Sequence, residues 1–124
     1  MIVGLGIDLC QVSRIERALL RHPGRFAARL YTAAERGYCE ARAYPAQHYA
    51  ARFAAKEALL KALKVPPGLS WHEIEVRQDE DGAPRLWLSG RAKDAADRLG
   101  VARLHLSLTH SGDSAAAFVI AEAA

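Results

Sequence analysis

The chain has 124 residues, 51% of them apolar and 25% charged, with a net charge of +3. That balance suits one soluble folded core and is too weakly basic to single out a nucleic acid as partner. Two cysteines are too few for a disulfide scaffold or a paired-ligand zinc site, and no apolar run reaches the ~18 residues of a membrane span.

Met1–Leu9 is apolar and β-permissive, interrupted by Gly4 and Gly6, and is predicted to be a strand ending at Asp8. Glycines within a strand mark either a bend or the close approach of another backbone or a ligand. No basic segment precedes an apolar run here, so no signal peptide is expected; with Cys10 and Cys39 taken as reduced thiols, the chain is expected to be cytoplasmic.

Ser13-Arg14-Ile15-Glu16 has the spacing of a capping box, with Ser13 as N-cap, and predicts a helix from about Arg14 to His22, broken by Pro23-Gly24. Arg14, Arg17 and Arg21 fall on one face of it. Together with Arg25 and Arg29 they meet only Asp8 and Glu16 as nearby acids. Such a face is a docking surface for an acidic partner more than an ordinary solvated face.

A short helix is predicted over Arg25–Leu30. A second capping box, Thr32-Ala33-Ala34-Glu35, opens a helix to about Arg42, and Pro45 starts a long helix that ends by Val65, before Pro66-Pro67-Gly68. On that helix Tyr49, Phe53, Leu60 and Leu63 form an apolar stripe. Lys56 falls inside the stripe, where a buried amine needs a partner. Glu57 and Lys61 sit one turn apart beside it, next to small alanines that leave room for something to approach.

The second half is strand-rich. Ile74 and Val76, the turn cluster Asp79–Gly82 and the alternating Arg85–Leu88 predict a hairpin. Ser89 is placed as the cap of a helix to about Leu99, closed by Gly100. Leu104, Leu106 and Leu108 alternate with His105, Ser107 and Thr109 in a strand. After the turn Ser111-Gly112-Asp113 comes a last strand, Ala115–Ala121, apolar on both sides and so central or at a subunit contact. The order strand, helices, hairpin, helix, hairpin is α+β: an antiparallel sheet packed against helices, one domain over residues 1–124.

If Asp8 at its strand end converges with Glu57, the two form a carboxylate pair of the kind that suits Mg²⁺, which takes one or two carboxylates plus substrate phosphates. Arg52, Lys56 and Lys61 stand near as donors to a phosphate-bearing substrate. Ser107 and Thr109 share one strand face with His110 at its mouth, and can bind phosphate or a nucleotide. There is no Gly-x-Ser-x-Gly nucleophile elbow, no P-loop and no dinucleotide-binding glycine fingerprint.

Three ordered motifs, Gly4-Leu5-Gly6-Ile7-Asp8-Leu9, Arg52-Phe53-Ala54-Ala55-Lys56-Glu57-Ala58-Leu59-Leu60-Lys61-Ala62 and Ser107-Leu108-Thr109-His110, together resemble the bacterial holo-[acyl-carrier-protein] synthases, small 4′-phosphopantetheinyl transferases. The resemblance covers nearly the whole chain. It implies transfer of the phosphopantetheine arm of coenzyme A to a serine of apo acyl carrier protein, in fatty acid biosynthesis. It implies Mg²⁺ at Asp8 and Glu57, catalysis by Asp8, Glu57 and Lys61, and a homotrimer with active sites between protomers. It also implies coenzyme A binding by Arg52, Lys56, Lys61, Ser107, Thr109 and His110, and docking of the acidic carrier on Arg14, Arg21, Arg25 and Phe26. Many members follow the long helix with a Gly-Thr-Gly-type loop; here Leu63-Lys64-Val65-Pro66-Pro67-Gly68 stands there, and its prolines lack N–H donors.

Two other readings compete. A Mg²⁺-dependent nucleotide phosphohydrolase uses the same carboxylates and cations but has no use for the arginine face. A basic nucleic-acid-binding module needs interleaved aromatics, and the arginine cluster offers only Phe26 and Tyr31.

Overall fold

The computed structural model describes residues 1–124. The elements run β1 (Ile2–Gln11), α1 (Val12–Arg21), α2 (Arg25–Leu30), α3 (Ala33–Glu40), α4 (Pro45–Leu63), a short 3₁₀ turn (Trp71–Glu73), β2 (Ile74–Gln78), β3 (Pro84–Leu88), α5 (Gly90–Arg98), β4 (Val101–Ser111) and β5 (Ser114–Ala123). The α+β architecture and the element order follow the sequence expectation. β1, β5 and β4 form an antiparallel sheet in that order, and β2 and β3 a separate hairpin. The doubly apolar last strand is indeed the central one.

Helix α4 lies across the three-stranded sheet, and glycine sets how closely. A Cβ on Gly4 would stand 2.0 Å from the carbonyl oxygen of Ala62, and one on Gly6 1.8 Å from that of Ala58. Of the two readings of these glycines, the close approach of a backbone holds. The small side chains Ala54, Ala58 and Ala62 complete the fit by lowering the helix onto the strands. Burial therefore wraps round most of α4 instead of following the single stripe read from the sequence; Phe53 and Leu60 of that stripe stay partly exposed while Ala50 and Ala55 are fully covered.

Lys56 is the polar exception inside this core. Its ammonium donates to Glu35 Oε1 at 2.7 Å and to the carbonyls of Leu30 at 2.9 Å and Trp71 at 3.1 Å. Glu35 in turn accepts from the backbone N–H groups of Thr32 and Val76, each at 2.8 Å. Neither side chain is exposed. Burial pulls the Lys56 amine below its ordinary range, and the Glu35 charge opposes that pull. The pair ties α2, α3, α4 and β2 into one body.

Two caps differ from expectation. The Thr32–Glu35 capping box forms, but Ser13 and Glu16 make none. β1 runs directly into α1, which begins at Val12 with Gln11 as its N-cap. The exposed first-turn amides are met from the β4–β5 turn: Asp113 accepts from the N–H and hydroxyl of Ser13 at 2.9 and 2.6 Å, and its carbonyl from Val12 N–H at 2.8 Å. A carboxylate there also complements the positive end of the helix. Likewise Ser89 makes no side-chain cap for α5. Glu73 takes that place, accepting from Arg91 N–H and, at 2.7 Å, from Ser70 N–H.

Candidate active site

The close packing of β1 on α4 brings Asp8 and Glu57 together. Asp8 is opposite Ala117 in the β1–β5 register. Lys61, on the same helix side as Glu57 one turn later, donates to Asp8 Oδ1 at 2.9 Å and to the carbonyl of Ile7 at 3.0 Å. The ammonium is half exposed and the Asp8 carboxylate only 19% exposed, so the cluster opens to solvent on the Lys61 side. Burial raises the affinity of Glu57 for its proton, the Asp8 charge raises it further, and Lys61 lowers it. Two carboxylates that repel each other, faced by one cation, form a hard oxygen donor set that a divalent ion fits. The nearby Cys10 thiol is pushed up to about 11, first by burial and then by Asp8, and so stays protonated at neutral pH.

The remaining residues expected around substrate do not join this cluster. Lys56 is sealed in the core with its donors engaged, so it is not available as a surface phosphate ligand. Arg52, Ser107, Thr109 and His110 line a cavity of about 270 Å³ between α4, β4 and the hairpin. Arg52 is 1% exposed; its Nη2 donates to Gln78 Oε1 at 2.8 Å, and its Nε has no partner. His110 Nδ1 lies 3.0 Å from Gln47 Nε2. Ser107 and Thr109 share a strand face as expected and line the same cavity, although the register pairs them with Phe118 and Ala116 while Leu106, Leu108 and His110 pair with residues of the α4 side. The cavity also takes in Tyr38, Gln47, His48, Gln78 and Pro84, none of which was singled out from the sequence. His48 alone carried a signal, one helical turn before Arg52 on α4. Tyr38, Gln78 and Pro84 arrive from other elements, and no spacing pattern announces them.

Arg14, Arg17, Arg21 and Arg25 are all exposed, as a docking face requires. Phe26 is only partly exposed, its ring edge-on to Tyr31 at 6.5 Å, whereas Leu20 on α1 is 74% exposed. In the proline loop, Lys64 ends α4 in the left-handed conformation at φ 52° and its side chain is exposed.

An antiparallel sheet whose first strand carries an aspartate, three residues before its end and not at it as the sequence suggested, against a helical Glu-x-x-x-Lys defines a small α+β protein with paired carboxylates and a lysine at one site. The sequence model of the 4′-phosphopantetheinyl transferase superfamily matches residues 4–119, and the chain belongs to that family. It is 54% identical to the holo-[acyl-carrier-protein] synthase of Anaeromyxobacter dehalogenans strain 2CP-1, over 98% of this chain and 97% of that one. Among solved structures it resembles the holo-[acyl-carrier-protein] synthase of Neisseria meningitidis, with TM-score 0.86 and 32% identity, covering 98% of this chain and 99% of that one. It also resembles the Helicobacter pylori enzyme in complex with coenzyme A, with TM-score 0.82 and 31% identity, over 95% and 99% of the two chains.

Proposed function

We propose that this protein is a holo-[acyl-carrier-protein] synthase: it transfers the 4′-phosphopantetheine arm of coenzyme A to a serine of apo acyl carrier protein and releases adenosine 3′,5′-bisphosphate. The observation that carries the reading is the convergence of Asp8, Glu57 and Lys61 where β1 packs on α4, in a chain of this family.

In the transfer the serine oxygen bonds to the β-phosphorus of coenzyme A, the serine proton goes to a base, and the bond from that phosphorus to the bridging oxygen breaks. Asp8 and Glu57 are the residues that would hold Mg²⁺. When bound, the ion supplies positive charge that screens the phosphate oxygens and the charge of the leaving group. Lys61 adds a mobile ammonium beside the carboxylates, suited to neutralise the departing phosphate. Arg52 and His110 offer donors for a further anionic part of coenzyme A. Positioning and electrostatics thus do most of what the protein contributes.

Two features support a homotrimer with active sites between protomers. The carboxylate cluster and the Arg52–His110 cavity lie on different sides of α4, so one copy has two partial sites. The sheet face away from α4 also bears Leu5, Ile7, Leu9 and Phe118, all 40–73% exposed, a contiguous apolar surface that a second and third copy would cover. The arginines of α1 and Arg25 suit the acidic surface of a carrier. Two free, buried thiols suit a cytoplasmic location; no helix is long and apolar enough to cross a membrane.

The direct test is a mass measurement. The protein is incubated with coenzyme A, Mg²⁺ and an apo acyl carrier protein, and the carrier is expected to gain one phosphopantetheine arm. Release of phosphate to water with no gain on any carrier would favour the phosphohydrolase reading instead.

A further inference from the structure

The cavity beside Arg52 has no carboxylate on its walls. Its charged or chargeable groups are Arg52, His48 and His110, and Arg42 reaches its edge from the α3–α4 connection. What gathers Arg42, Arg52 and His48 is one aromatic ring. Tyr38, in the second half of α3, has the guanidinium carbon of Arg42 4.1 Å from its ring centroid and that of Arg52 at 4.0 Å. The imidazole of His48 stands edge-on to the same ring at 5.8 Å. Both guanidinium groups are well inside the ~6 Å reach of a cation–π contact.

Cations held this close repel one another, and the effect is visible at His48. Burial lowers its affinity for a proton, and Arg52, Arg42 and His110 lower it further. Nothing on the cavity wall offsets that field, and the buried Arg52 has an N–H left without an acceptor. Buried donors are costly when unmade, and an anion with several oxygens would both satisfy this one and neutralise the cluster. Phosphate oxygens match the guanidinium geometry well.

We propose that Tyr38 is a positioning residue for substrate phosphate: its ring holds Arg42 and Arg52 together at a carboxylate-free cavity, so that a phosphate group of coenzyme A meets both guanidinium groups at once. The proposal rests on the coenzyme A reading above. Coenzyme A carries a phosphate monoester and a diphosphate, which offer the same oxygens, and the test separates them.

The experiment is steady-state kinetics of Tyr38→Phe, Tyr38→Leu and Arg42→Gln. Tyr38→Phe keeps the ring and is expected to behave as wild type. Tyr38→Leu and Arg42→Gln are expected to raise the KM for coenzyme A about tenfold, the scale of one good cation–π contact. Their kcat should stay within about twofold and the carrier KM unchanged, because the interaction is a binding one. With the coenzyme A analogue that lacks the phosphate monoester, disappearance of the Tyr38→Leu effect assigns the cavity to the monoester, and persistence assigns it to the diphosphate; either supports the positioning role. An unchanged coenzyme A KM in Tyr38→Leu, an equal rise in the carrier KM, or a Tyr38→Phe defect as large as that of Tyr38→Leu overturns it. Should Tyr38→Leu fail to fold, Arg42→Gln, at an exposed side chain, decides by the same criteria. Failure of the wild type to modify a carrier would sink the functional reading itself, an outcome distinct from all of these.

Discussion

At the scale of single residues, the two lysines of α4 separate by what surrounds them. Lys61 is open to solvent and faces the carboxylates, whereas Lys56 is locked to Glu35 inside the core. Removing one partner of a buried pair leaves the other charge unpaired and costs ~3–5 kcal/mol. Lys56→Met is therefore expected to lower the unfolding free energy by about that amount, read from denaturant midpoints, with the coenzyme A KM of the folded fraction unchanged. A selective rise in that KM without loss of stability would return Lys56 to the substrate site. Asp8→Asn and Glu57→Gln are expected to abolish turnover while the far-UV circular dichroism stays native. The reason is that each removes one of only two carboxylates from the cluster and neither takes part in the core pairing. Undiminished turnover of either variant at limiting Mg²⁺ would refute the assignment.

At the scale of elements, helix ends and helix faces carry the predictions. Glu73 closes the N-terminus of α5, and its carboxyl is held below the ordinary 4.5, chiefly by the Ser70 amide and then by those of Arg91 and Ala92. The folded state thus binds this proton more weakly than the unfolded state does. Its stabilising contribution is complete above about pH 4.5 and is lost as the pH falls through the depressed folded value. Glu73→Gln should be less stable than wild type at pH 7, and urea midpoints of the two should converge on acidification. A constant gap down to pH 3 would exclude the carboxylate as its source. On α1, each exposed arginine is worth little alone, ~0.2–1 kcal/mol per pair, so a single substitution should have a small effect. Arg14→Glu with Arg21→Glu replaces attraction by repulsion and should raise the carrier KM strongly, leave the coenzyme A KM nearly unchanged, and shrink the wild-type advantage as salt is added. Equal weakening of both substrates would count against a docking role.

At the scale of the whole molecule, the outer face of the three-stranded sheet is the unfinished part of the fold. An apolar face of this kind is buried by association in most proteins that carry one. Phe118→Glu places a charge in the middle of it, on the central strand, and should convert a trimer to a monomer in sedimentation at micromolar concentration. Activity should fall in parallel, because the proposed active sites lie between copies. A wild-type monomer with full activity would end the trimeric reading.

Much of this was legible in the one-dimensional chain. Helix breaks come from proline and glycine, strands from alternation of apolar residues, and the Thr32–Glu35 box from a three-residue spacing; these are local effects, set by backbone chemistry within a few residues. The family motifs likewise named Asp8, Glu57 and Lys61, which lie on one strand and one helix turn. What the sequence left open depended on distant partners. It exposed Lys56 as an anomaly but could not supply Glu35, 21 residues away. It offered Ser13 and Ser89 as caps, and the fold used Asp113 and Glu73 because a carboxylate delivered by another element reaches the same amides with a full charge. It grouped Arg52, Ser107, Thr109 and His110 by chemistry, and the packing of β4 beside α4 gathers them at one cavity, whose other walls, Tyr38, Gln78 and Pro84, come from elements that no spacing links to them. Local propensity is additive along the chain and can be read there, whereas the neighbours of a buried charge are decided by which surfaces meet when the core closes.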